Sequence, residues 1–228
     1  MLHEENLNDV PEISADVLRG MSRFYTPLVS DVMDSLGLPS GVLHRSVQTI
    51  FPDVDLKVCG IAFPCRVVPT DQYVEIDNLL AMVDAIPEHA FVVVAADADT
   101  DAALWGGLMS ARAMARGAVG AVVNGGVRDL EQILNLEFPV FGTYRCIKDI
   151  RRRGYMDSWD VPVMMDGVPV SPGDVVFGDT NGVLVIPRKH FPVVYAELEK
   201  ALGEESATQD GLVSGASAQE LFDRHGRF

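Results

Sequence analysis

Apolar positions along this 228-residue chain follow three successive patterns. Through the first forty residues they recur at helical spacing. Ser14 reads as the N-cap of a helix carrying Val17, Leu18, Met21 and Phe24, and a second helix runs through Leu28, Val32, Met33 and Leu36 to a stop at Gly37. Residues 38–56 mix proline, glycine and polar groups and read as a connector. The middle of the chain alternates strands and helices. Residues 57–68 are rich in β-branched side chains, with Gly60 and Pro64 marking a bulge or edge. A short helix over 77–86 ends at Pro87, and AFVVVAA (90–96) is a continuous apolar run of the kind buried on both faces. A helix over 107–116 closed by Gly117, a strand over 118–124, a helix over 130–136 and a strand over 139–143 follow. This alternation predicts a parallel core sheet with crossover helices.

The last third changes again. Short strands at 161–165, 168–170, 174–177 and 183–186 are separated by DG, PGD and TNG turns, which predict hairpins or a second sheet. Two amphipathic helices, 191–202 and 216–225, joined by a polar stretch, finish the chain. With no internal repeat and no linker, the expectation is a single α/β domain over 1–228. It comprises N-terminal helices (1–40), a core (57–187) and C-terminal helices (188–228).

Composition narrows the function classes. Apolar residues make up 48% and charged residues 22%, too apolar for disorder. Lys plus Arg number 18 against 33 Asp plus Glu, a net charge of -15 that repels phosphate backbones, so no nucleic-acid partner is expected. The one basic run, Arg151–Arg152–Arg153, reads as a solvated loop. Cys59, Cys65 and Cys146 lack paired zinc spacing and read as buried thiols in a reducing compartment. The opening segment is acidic without an apolar h-region, and nowhere do about 18 apolar residues run uncharged. No membrane association and a cytoplasmic location are therefore expected.

The sharpest chemical feature is Trp105 to Asp129, WGGLMSARAMARGAVGAVVNGGVRD. Gly106 and Gly107 open a helix, where exposed backbone N–H groups and the helix dipole favour an anion. Gly125 and Gly126 follow a parallel strand, at the sheet end where α/β proteins place their ligands. Arg128 supplies a guanidinium suited to a carboxylate, and Asp129 a carboxylate able to hold Mg²⁺ completed by water and substrate. Two readings stay open on these residues alone: a small-anion and metal site, or glycines serving chain geometry with Arg128–Asp129 capping the next helix. The spacing matches neither GxGxxG nor the Walker pattern, so no nucleotide is indicated.

The same segment resembles the signature of the RraA-like group, which contains the regulator of ribonuclease E activity. It also contains the class II aldolases that cleave 4-hydroxy-4-methyl-2-oxoglutarate and 4-carboxy-4-hydroxy-2-oxoadipate. TPLVSDVMDSLG, KVCGIAF, FPVF, GVPVSPGDVVFGDTNGVLVIP and GASAQELFDRHGRF extend the resemblance in order through most of residues 26–228. It implies an α-β-β sandwich of swivelling-domain type, with a parallel core sheet and a hairpin-rich second sheet. It also implies assembly as a homotrimer or dimer of trimers with sites between subunits. In the aldolase reading Asp129 holds Mg²⁺ or Mn²⁺ largely through water, and Arg128 binds the carboxylate of a small 2-oxo acid. Backbone amides around Gly106, Gly107, Leu108 and Met109 complete that carboxylate site. The metal stabilises the enolate released by retro-aldol cleavage or by oxaloacetate decarboxylation, a metal-bound water serves as base, and pyruvate is the product. The alternative is a non-catalytic regulatory protein like the ribonuclease E regulator. Two positions depart from the common pattern: Gly107 stands where many relatives carry an acid, and Gln132 follows Glu131 after the Arg-Asp pair.

Other acids weigh less. Asp31 and Asp34 share a helix face and read as surface or capping groups, with Asp31 a candidate to support the site; Asp97, Asp99 and Asp101 read as loop and cap residues able to order water. Glu204 and Glu205 end the penultimate helix in this reading, and Trp105 packs at an interface or site wall. The five histidines form no HxxxH or HxxH pair, and the four lysines lie outside the apolar middle strands, which disfavours zinc and Schiff-base chemistry.

Overall fold

The computed structural model describes residues 13–50 and 56–226. Ser14 caps α1 (Ala15–Gly20), its side chain accepting from the Val17 amide at 3.4 Å. A 3-10 turn at Met21–Arg23 leads into α2 (Thr26–Ser35), beyond which Gly37 takes φ +66°. There follow, in chain order, β1 (Gln48–Thr49), β2 (Lys57–Pro69), α3 (Asp77–Ala85), β3 (Ala90–Ala96), β4 (Ala103–Trp105) and α4 (Gly107–Ala115). Next come β5 (Gly120–Val123), β6 (Gly126–Val127), α5 (Leu130–Asn135), β7 (Val140–Gly142), β8 (Tyr144–Arg145) and β9 (Gly154–Trp159). The chain ends with β10 (Val163–Met165), β11 (Val168–Val170), β12 (Val175–Asp179), β13 (Gly182–Ile186), α6 (Phe191–Val213) and α7 (Ala218–His225).

The long β2 organises the main sheet. On one side β3, β5 and β7 continue it in parallel, and β1 adds an antiparallel edge. On the other side the antiparallel strands β12 and β9 share its length, β12 against residues 57–61 and β9 against 65–69, and β13 pairs β12. Segment 41–43 then bonds β13: the Leu43 amide donates to Val183 O and the Val185 amide to Gly41 O, each at 2.9 Å. Because β1 lies only five residues later on the opposite edge, the sheet curls into a nearly closed barrel. A two-stranded hairpin, β10–β11, and a small parallel sheet, β4–β6–β8, stand apart from it.

The apolar run of β3 is buried at every position, and its period-2 alternation divides it between two cores. Val92 and Val94 face Met82, Ala113 and Ile133 beneath α3, α4 and α5. Phe91, Val93 and Ala95 face Val122, Phe141 and Met165 inside the curl. A third core holds α2 and α6 against Val175, Phe177 and Leu184 of the hairpin β12–β13. Asp179, 2% exposed at the end of β12, ties this layer together. It accepts from the Thr26 amide, the Thr26 hydroxyl and the Asn181 amide, each at 2.7 Å, supplying the cap that Tyr25 lacks at α2. Asp179→Ala would strand the two buried donors of Thr26 and release the more exposed Asn181 amide, an expected loss of roughly 3 kcal/mol. A denaturant melt in which the free energy of unfolding falls by less than about 1 kcal/mol at unchanged m would contradict that role.

The parallel core and the hairpins agree with the sequence reading, but β12–β13 joins the main sheet instead of a second one. The connector over 38–56 is not structureless: it carries β1 and the strip that meets β13, while residues 51–55, like 1–12, lie outside the described residues. The penultimate helix is also longer than expected. α6 continues past Gly203 and Gly211 to Val213, so Glu204 and Glu205 sit within it and not at its end. Buried Ala201 and Thr208 carry the helix across the polar stretch, and a Cβ at Gly211 would lie 2.6 Å from the Leu221 side chain, where α7 packs back. Among the described residues no helix is long and apolar enough to cross a membrane.

Candidate functional site

Each of the three parallel strands beyond β2 gives rise to one strand of the small sheet: β3 leads to β4, β5 to β6 and β7 to β8. The register sets Trp105 opposite Val127, and the Arg128 amide donates to Trp105 O at 3.1 Å. One residue beyond that pair, Gly106 and Arg128–Asp129 therefore meet at the same sheet end. β4 turns into α4 through Gly106, and β6 turns into α5 through Asp129, so two chain turns 22 residues apart build one site.

The local backbone explains the residue types. Gly106 is extended (φ -161°, ψ -178°), and a Cβ there would fall 2.9 Å from Asp129 Oδ2 and 3.1 Å from Arg128 Cγ. Asp129 occupies the left-handed region at φ 57°, ψ 41°, which Asp and Asn tolerate better than other side chains. It makes no cap to α5. Its Oδ2 instead accepts the Gly107 amide at 3.2 Å and lies 3.5 Å from Arg128 Nε, while Oδ1 has no partner among the described residues. The amides of Leu108 and Met109, in the first turn of α4, have no intrahelical acceptor. Trp105 Nε1 donates to Ser110 Oγ at 2.8 Å, and that hydroxyl donates to Gly106 O at 3.1 Å, fixing the turn from below.

These groups line a cleft of about 530 Å³ between α3 and α4. Gly106, Leu108, Met109, Arg128 and Asp129 all face it, with Trp105 in the wall and Leu79 and Leu80 of α3 opposite. Trp105 is 1% exposed and stacks on Phe138, ring centroids 6.3 Å apart. Gly107 lies behind this surface: a Cβ there would sit 2.3 Å from Gln132 Oε1 and 2.9 Å from Gln132 Cβ. The two positions that depart from the common pattern therefore face each other, and Gln132 occupies the space an acid at 107 would need.

Two further side chains belong to the cleft, and the sequence did not single them out as functional. Asp149 accepts from Arg128 Nη1 at 3.3 Å, from the Arg151 amide at 2.8 Å and from Arg151 Nε at 2.9 Å. Arg151, in a turn with its side chain 41% exposed, thus also lines the site; its guanidinium, held by Asp149, is raised in pKa. The Arg151 hydrogen bond, foremost, holds the Asp149 carboxyl down to about 2 against partial burial. Because that value lies below the ordinary 3.8, the ion pair adds stability above the ordinary value and loses it as pH falls toward 2. The side chains are about a third exposed, so the energy is small and the consequence is geometric. The signal for Asp149 was only a carboxylate followed by arginines.

The remaining acids go elsewhere within the chain. Asp97 pairs with Arg66, Asp99 accepts from Tyr144 OH at 3.2 Å, and Asp101 pairs with Lys148. Asp31, Glu204 and Glu205 line a separate groove between α2, α6 and α7. Cys65 is buried and Cys59 and Cys146 half-buried, all as free thiols.

The Arg128 guanidinium, the helix-start amides of Leu108 and Met109 and the carboxylates of Asp129 and Asp149 thus meet in one cleft at the end of a parallel sheet in an α/β scaffold. The chain belongs to the RraA-like family, whose Aldolase/RraA description matches residues 26–185. It is 30% identical over 194 residues to a Halalkalibacterium halodurans protein provisionally named a 4-hydroxy-4-methyl-2-oxoglutarate aldolase, covering 85% of this chain and 87% of that one. It is 29% identical over 195 residues to protein DlpA of Legionella pneumophila, 84% of this chain but 31% of DlpA, so the match spans under a third of that relative. In fold it is similar to Streptomyces coelicolor RraAS2, described as an unusual member of the RNase ES inhibitor RraA family. The TM-score is 0.78 at 22% identity, over 87% of this chain and 98% of that one.

Proposed function

We propose that this protein is a divalent-metal-dependent lyase that releases pyruvate from a small 2-oxo acid, by retro-aldol cleavage or by decarboxylation of oxaloacetate. The observation that carries the reading is the convergence of Arg128, Asp129 and the Leu108 and Met109 amides on one cleft. The aldolase-named relative supports it.

The donor set fits a hard ion. Among the described residues, Asp129 keeps one carboxylate oxygen without a partner, and no group of three or more His, Cys, Asp or Glu able to hold a metal occurs. One carboxylate completed by water and substrate suits Mg²⁺ or Mn²⁺ and does not suit zinc. When bound there, the ion supplies positive charge to the keto oxygen as the carbon–carbon bond breaks. The rest falls to the chain. Arg128 grips the substrate carboxylate, the Leu108 and Met109 amides share its charge, and Leu79 with Leu80 forms an apolar wall along the chain of the acid. The Gly107 amide keeps the Asp129 carboxylate turned to the cleft. In the homotrimer or dimer of trimers that the family resemblance implies, a neighbouring subunit would cover Leu108, which is 82% exposed at the cleft lip of the single chain.

Purified protein mixed with Mg²⁺ or Mn²⁺ and either oxaloacetate or 4-hydroxy-4-methyl-2-oxoglutarate is expected to release pyruvate, followed with a coupled dehydrogenase, and to stop on addition of EDTA. Release no faster than the metal alone, from folded oligomer on both acids, would count against the reading.

A further inference from the structure

We infer that Asp149 is a positioning residue that holds the Arg128 guanidinium in the orientation that accepts a substrate carboxylate, an inference that rests on the proposed lyase site. Arg128 is flanked by two carboxylates. Its Nε lies 3.5 Å from Asp129 Oδ2, and its Nη1 lies 3.3 Å from Asp149 Oδ2. These contacts occupy two corners of a planar fork and leave Nη2 for a ligand. An arginine side chain 38% exposed would otherwise sample many rotamers, and ordering it on binding costs affinity. The tether is itself fixed. Asp149 Oδ1 accepts the Arg151 amide at 2.8 Å and Arg151 Nε at 2.9 Å, so the carboxylate cannot rotate away from Arg128 without losing a backbone bond.

Two effects of Asp149 oppose each other. Its negative charge repels an incoming carboxylate, whereas its grip on Arg128 prepares the partner for that carboxylate. In a cleft open to water the repulsion is screened, while the rotamer constraint is not. The grip therefore dominates. Asp149→Asn separates the two, because the amide has one acceptor: the Arg151 amide and Nε claim the oxygen, and the NH₂ group turns toward Arg128 Nη1, donor against donor. The charge is gone, the shape is kept and the tether is broken.

The test compares wild type, Asp149→Asn and Asp149→Glu in oxaloacetate turnover, and in calorimetric binding of oxalate, an unreactive dicarboxylate, with Mg²⁺ present. In Asp149→Asn the expected result is a KM about tenfold higher with a smaller fall in kcat, an oxalate Kd raised in parallel, and partial recovery in Asp149→Glu. An unchanged or tighter oxalate Kd in Asp149→Asn overturns the inference, as does a fall in kcat and melting temperature with KM unmoved. The two failures are distinguishable. Wild-type turnover with KM unaffected by the substitution removes only the role of Asp149. Oxalate binding weakened by the substitution, in a protein that turns nothing over, removes only the lyase reading. A wild type that binds no oxalate overturns the inference directly.

Discussion

Asp129→Asn is expected to lower pyruvate release by roughly a hundredfold or more while leaving the melting temperature close to that of the wild type. The choice of asparagine matters, because residue 129 sits at φ 57° and most side chains would be strained there by about 1–2 kcal/mol. Asparagine tolerates that backbone, and its amide oxygen can still accept the Gly107 amide that Asp129 Oδ2 accepts at 3.2 Å. What disappears is the charge proposed to hold the ion. Alanine would confound that loss with strain and an unpaired amide. Rates of wild type and variant across a Mn²⁺ titration check the result. A variant that regains full rate at saturating metal would mean that Asp129 only raises metal affinity, and one with undiminished rate throughout would remove it from the site.

The second large effect concerns the fold. Gly41→Ala is expected to cost more than about 3 kcal/mol, enough to compromise folding of an ordinary domain. A Cβ at this position would lie 1.8 Å from the Val185 carbonyl oxygen, a backbone atom that cannot swing aside like a side-chain tip. Relief requires separating segment 41–43 from β13, which breaks the Val185–Gly41 and Leu43–Val183 hydrogen bonds and opens the barrel on the Leu43 and Val47 side of its core. Gly203→Ala in α6 is the contrasting control. Nothing lies within 4 Å of its would-be Cβ, so the better helix former should add up to about 1 kcal/mol. Paired denaturant melts measure both. A Gly41→Ala protein as stable as the wild type would show that the barrel closure contributes nothing.

Much of this architecture could be read from the chain because it rests on patterns with a physical cause. AFVVVAA must be buried on both faces, Gly37 and Gly117 end their helices in the left-handed region, and the hairpin turns fall where DG and TNG stand. The pieces that escaped have no such pattern. β4, β6 and β8 are two or three residues long, too short for any period to show, yet their pairing brings Gly106 next to Asp129. α6 crosses two glycines because tertiary packing along its buried face outweighs their local cost. For the candidate site, Gly106, Arg128 and Asp129 were legible from glycines and charges at strand and helix ends, whereas Leu108 and Met109 entered only through the family resemblance. Asp149 was not, because its meaning lies in a guanidinium 21 residues away. The cleft role of Arg151 was not legible for the related reason that three successive arginines read as solvent-facing until the partly exposed Asp149 carboxylate claims one of them.

The most direct measurement of the central claim needs no knowledge of the native substrate. A lyase that cleaves to the pyruvate enolate must also, in reverse, take a proton from the pyruvate methyl group. Protein, Mg²⁺ or Mn²⁺ and pyruvate are therefore placed in D₂O, and the methyl protons are followed by NMR. Loss of the methyl signal well above the metal-only rate is expected, abolished by EDTA and by Asp129→Asn. Exchange no faster than metal alone, from folded protein that binds the ion, would contradict the lyase account and leave the regulatory reading of this scaffold in its place.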